Sequence, residues 1–126
     1  MKSPNKSVSI NIATQYLEQQ SSREKKQYAF AYHVTISNMS NFSAQLLTRH
    51  WVITDGNQER EEVHGSGVIG RQPIIKPGMS YEYTSGVILK TPIGTMQGSY
   101  NLIDDNGVGF DVSIEPFLLS APNMVH

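Results

Sequence analysis

Apolar and polar residues alternate with a period of two along most of this chain, the repeat of a β-strand wetted on one face. Val8, Ile10 and Ile12 alternate with Ser9, Asn11 and Ala13. Residues 18–27 are polar throughout and carry no apolar stripe at helical spacing, which predicts an exposed, mobile loop. Tyr28, Phe30, Tyr32, Val34 and Ile36 then form one long aromatic and β-branched face that belongs in a core. The cluster Ser37-Asn38-Met39-Ser40-Asn41 reads as a turn, because Asn and Ser side chains hydrogen-bond to nearby backbone.

A third strand is predicted over residues 44–54, with Leu46, Thr48, His50 and Val52 on one face and Leu47, Arg49, Trp51 and Ile53 on the other. Neither face is cleanly polar. The bulk of Trp51 selects its own face as the buried one, with the Arg49 stem packing along the edge. Asp55-Gly56 is a hairpin signal. The return strand over residues 58–64 carries Glu59, Arg60, Glu61 and Glu62, charges that suit a sheet edge.

Gly65-Ser66-Gly67-Val68-Ile69-Gly70 is a glycine-rich loop, and the two prolines within residues 73–78 read as a corner between sheets. Met79, Tyr81 and Tyr83 alternate with Ser80, Glu82 and Thr84 in the next strand. Thr91-Pro92-Ile93-Gly94 is a further break. The final hairpin, with arms near residues 95–104 and 108–114, turns through Asp105-Asn106-Gly107. About seven short strands and no helix predict an all-β fold, an immunoglobulin- or fibronectin-III-like β-sandwich. The alternative is an eight-strand barrel, which the irregular turns disfavour. Tyr100 could be the tyrosine corner of such a sandwich or an ordinary core residue.

With 126 residues the chain has room for one domain, residues 1–126, with 120–126 as a tail. The absence of cysteine removes disulfides, thiol catalysis and thiolate metal sites, and fits a cytoplasmic protein. A net charge of −1 lacks the basic excess that nucleic-acid binding needs. Arg23, Lys25 and Lys26 form the largest basic group, and Glu24 interrupts it. No run approaches the length of a signal peptide or a membrane span, so no membrane insertion is expected.

Candidate chemistry is sparse. Gly65, Gly67 and Gly70 have the G-x-G-x-x-G spacing of dinucleotide folds, where the motif follows a strand and opens a helix facing the pyrophosphate. Here Arg71-Gln72-Pro73 and Pro77-Gly78 follow, and a helix cannot propagate through them. What could remain is a nest of backbone N–H groups helped by Arg71 or Lys76, a phosphate-loop candidate set against a purely structural loop. His33, His50, His64 and His126 show no i, i+2 or i, i+4 pairing, so no metal site is expected, although His64 shares a strand face with Glu62. Asp104 and Asp105 sit at an exposed hairpin tip and read as solvated acids. No nucleophile elbow or triad signature is present, and no enzyme is expected.

Several segments resemble the signature of the ApaG family: residues 49–56 (RHWVITDG), 63–73 (VHGSGVIGRQP), 77–86 (PGMSYEYTSG), 94–100 (GTMQGSY) and 110–117 (FDVSIEPF), in order and over nearly the whole chain. The resemblance implies a bacterial, fibronectin-III-like β-sandwich without catalytic activity or cofactor. It also implies a gene often near a diadenosine tetraphosphate hydrolase, a link to cobalt and magnesium efflux or resistance, and related domains that act as protein-interaction modules. One departure is Ser66, where the family commonly has Glu. Two roles follow as expectations: an interaction module with a protein partner, or a binder of a phosphate-containing small ligand through residues 65–70.

Overall fold

The computed structural model of the chain describes residues 7–122. Eight strands form two antiparallel sheets packed as a sandwich. The first sheet has the order β1 (Val8–Tyr16), β2 (Tyr28–Asn38), β6 (Ser80–Leu89). The second has the order β4 (Arg60–Ser66), β3 (Ala44–Asp55), β7 (Ile93–Asp104), β8 (Gly109–Ser120). The two-residue β5 (Ile74–Ile75) pairs with the start of β3 inside the segment read as a corner, which takes the count one above the expected seven.

The core follows the predicted faces. Tyr28, Phe30, Tyr32, Val34 and Ile36 of β2 are all buried. They meet Trp51, Met96, Tyr100, Leu102 and Leu119 from the opposite sheet. Trp51 makes T-shaped contacts with Tyr32, Tyr100 and Phe117, with ring centroids 5.4, 6.2 and 5.9 Å away. Such T-shaped contacts set the positive ring edge against the negative face.

The ambiguity of β3 has a structural cause. Its register against β7 shifts between Leu46 and Thr48, a bulge at Leu47. One extra residue reverses which parity points inward. Ala44 and Leu46 are buried before the bulge, and Trp51 is buried after it. No single alternation could have described the strand. β8 uses the same device: Met96 pairs Phe117 but Gly98 pairs Ile114, and inward residues change from Val112 and Ile114 to Phe117 and Leu119.

Both expected hairpins form: the second turns through Asp105-Asn106-Gly107 as read, and the first uses Gly56-Asn57-Gln58, so that Asp55 opens its turn. Asp55 N–H donates to Glu59 O and Gln58 N–H to Asp55 O, while the Asp55 carboxylate accepts from the amides of Asn57 and Glu59. The second hairpin repeats the pattern around Asp104, with its carboxylate on the amides of Asn106 and Val108. Each is a type I turn closed by a left-handed residue. That position is Gly107 (φ 81°) in one hairpin and Gln58 (φ 68°) in the other.

The polar stretch expected to be a mobile loop has order of its own. A 3₁₀ turn at Glu18–Gln20 is followed by a small arm closed by reciprocal Ser22–Gln27 backbone bonds. The Ser21 hydroxyl donates to Leu17 O and accepts from Ala29 N–H, tying the arm to β2. Within the expected tail, Ala121 is buried and its amide bonds Pro92 O.

Polar side chains inside the fold are paired with one another or with backbone. The Asn38 side chain donates to Phe42 O and Ile75 O and accepts from the amide and hydroxyl of Ser40, so it staples the β2–β3 turn to β5. The hydroxyls of Tyr83 and Tyr100 share a hydrogen bond between the two sheets, which makes Tyr100 a core residue bonded across the sandwich. Among the described residues, every buried side-chain nitrogen or oxygen has a partner.

Two predictions follow from this packing. Gln58→Gly removes a left-handed strain and should raise stability by about 1 kcal/mol, read as a higher denaturation midpoint at unchanged m. Burial pushes the Tyr83 hydroxyl up to about 12, and Tyr100 higher still, from the ordinary 10.0. Their contribution is therefore complete below about pH 10 and falls as pH rises towards 12, where the unfolded chain ionises first. Denaturant midpoints should drop over that window, and less steeply in a Tyr83→Phe, Tyr100→Phe double variant.

Candidate functional site

The glycine segment joins β4 to β5 and does not launch a helix. Val68 and Arg71 exchange backbone hydrogen bonds of 2.8 and 3.0 Å around Ile69 and Gly70. Both central residues have positive φ, 47° at Ile69 and 72° at Gly70, as a type I′ turn requires. Gly67 is obligatory: at φ 57° an added Cβ would stand 2.1 Å from Arg71 O. Gly65 makes room for Arg49, whose guanidinium lies across it and donates to Ser66 O and Gly67 O at 3.0 and 2.9 Å. Val68 is buried, whereas Ile69, Gly70 and Arg71 are exposed.

Amide accounting limits what this loop can hold. The N–H groups of Gly67, Val68 and Arg71 donate to Leu47 O, Arg71 O and Val68 O. Three of the donors that a phosphate nest would use are therefore committed inside the chain. The strand-to-strand geometry also supplies no helix dipole. The four residues singled out in the sequence, Gly65, Gly67, Gly70 and Arg71, do come together, but as a rigid turn clamped by Arg49.

Ile69 is the anomaly. A β-branched residue at positive φ is an outlier, and the first central position of a type I′ turn favours Asn. Its side chain is 61% exposed, so no burial offsets the strain. The neighbouring Ile74 is 64% exposed.

A second cluster lies on the outer face of the β3–β4 hairpin. His50 pairs directly with His64, and Val52 with Glu62. Glu62 and His64, two apart on one strand, thus share a face with His50. His50 Nε2 lies 2.9 Å from Glu62 Oε1, and the imidazoles stack with centroids 4.1 Å apart and planes 8° from parallel. One ligand atom from each of the three lies within 4.8 Å of the others. The His50 hydrogen bond holds the Glu62 carboxyl below its usual range, aided by the charges of His50, His64 and Arg60.

Sequence spacing did not reveal this grouping, because the partners lie on two strands and the turn sets their register. Read as the two-residue loop that Asp-Gly often forms, Asp55-Gly56 would set Thr54 against Asn57 and His50 against Glu61. The longer turn closed by Gln58 moves His64 opposite His50 instead. The shared strand face of Glu62 and His64 was the available clue. Two other candidates are accounted for locally. His33 bonds Glu82 and Thr84 on the first sheet, and the Asp104 carboxylate is spent on its turn. His126 lies outside the described residues. Among the described residues, no helix is long and apolar enough to cross a membrane.

Comparison with known proteins finds similar sequences and similar solved structures. The family model for the ApaG domain matches residues 18–104. Protein ApaG of Shewanella pealeana is 50% identical over 120 residues, covering 95% of each chain. An X-ray structure of a structural-genomics target superposes with a TM-score of 0.93 at 44% identity, over 98% of this chain and 94% of the other. A crystal structure of a Bordetella pertussis protein gives 0.90 at 45% identity, over 93% and 95%. With a family model over most of its length and relatives matched nearly end to end, the chain belongs to the ApaG family.

Proposed function

We propose that the protein is a binding module without catalytic chemistry of its own, and that its glycine turn presents Ile69 to a partner polypeptide. The carrying observation is the exposed, strained Ile69 on a turn fixed by Arg49. Strain at a solvent-facing position lowers stability without improving the core, and such positions cluster where a chain meets its ligand. A rigid apolar tip loses little entropy on docking. Ile74, the first residue of β5, is a second exposed apolar side chain five positions on. The association with cobalt and magnesium efflux implied by the family resemblance would then run through the partner and require no cation at this turn.

The test is Ile69→Asn, which installs the favoured Asn-Gly pair. Thermal melts should show it folded and more stable by about 1 kcal/mol. Immobilised wild-type protein should retain a saturable partner from its native cell extract, and the variant should bind that partner at least about tenfold more weakly. Equal half-saturation for both would refute the reading. A separate titration addresses the phosphate alternative: the amide resonances of Gly67, Val68 and Arg71 should stay unmoved at about 1 mM pyrophosphate, because their protons are already bonded.

A further inference from the structure

We infer that His50, Glu62 and His64 form a binding site for a late first-row divalent cation of the Zn2+ type on the outer face of the β3–β4 hairpin. The inference is independent of the partner-binding reading, since the cluster faces away from the core on a different surface feature from the Ile69 turn. Its basis is geometric. Antiparallel pairing fixes the three Cα positions, and all three side chains leave the sheet on one side. The ligand atoms already lie within 4.8 Å of one another. A tetrahedral zinc sphere needs its ligand atoms about 3.4 Å apart, so modest rotation of the side chains closes the gap. Glu62 and His64 are exposed on an edge strand and His50 is half-buried beside them, which leaves that rotation open.

The donor set selects the class of ion. Two imidazoles and one carboxylate suit Zn2+, Ni2+, Co2+ and Cu2+, and three protein ligands leave a position for water or for a further donor. Mg2+ prefers an octahedral shell of oxygens and would gain little from the two imidazoles. The stacked pair also has a feature that a simple surface ion pair does not explain. One histidine would satisfy Glu62, as His33 satisfies Glu82 on the other sheet at 2.8 Å. The second imidazole, parallel and 4.1 Å away, adds a like group that repels the first whenever both are protonated. A cation shared by both rings converts that juxtaposition into a favourable one.

The experiment follows the histidine ring resonances of the full chain by two-dimensional NMR during a Zn2+ titration. The signals of His50 and His64 should move together and saturate at one ion per chain by about 0.1 mM, while His33 stays in place and Mg2+ at about 10 mM moves none of them. Glu62→Gln, which keeps shape and removes charge, should weaken the Zn2+ response about 10- to 100-fold. His64→Ala should abolish the concerted shift of His50. Both changes are at exposed positions, and Trp51 fluorescence verifies that the variants remain folded. Unmoved His50 and His64 signals at about 1 mM Zn2+ would overturn the site, as would a response confined to His33 or His126, or a Zn2+ affinity in both variants equal to that of the unmodified chain.

Discussion

The bulge at Leu47 is the constraint on which this molecule depends. β3 must bury Leu46 at one end and Trp51 near the other, yet these residues have opposite parity in an unbroken strand. One inserted residue resolves the conflict. Without it, Trp51 would leave the cluster it makes with Tyr32, Tyr100 and Phe117, and His50 would point into the core unpaired. Removal of a buried Trp of this kind costs about 3–5 kcal/mol, a large share of a domain's stability. The matching shift in β8 keeps Phe117 and Leu119 on the same inner face.

The same parity switch distributes the two candidate surfaces. It turns Arg49 towards the inner rim, where the guanidinium reaches Ser66 O and Gly67 O and fixes the glycine turn. It turns His50 outward, where β4 supplies Glu62 and His64. Adjacent residues of one strand therefore reach two different surface features on two sides of the sheet. Both surfaces stand on a fully paired interior, in which Asn38 and the Tyr83–Tyr100 bond leave no buried polar side-chain atom unsatisfied among the described residues. The glycine motif carries the spacing of a nucleotide loop, but a turn between strands offers neither a helix terminus nor enough free amides.

Sequence alone determined the sandwich, the inward face of β2, the failure of the glycine segment to open a helix and the family. These are local properties: alternation, turn residues and prolines act over a few positions each. Tertiary structure decided what depends on register. The parity of β3, the left-handed Gln58, the strain at Ile69 and the meeting of His50 with His64 all rest on one residue more or less in a strand or turn. A one-residue change exchanges the faces of a sheet while leaving the local pattern almost unaltered, so only the paired strands themselves could fix it.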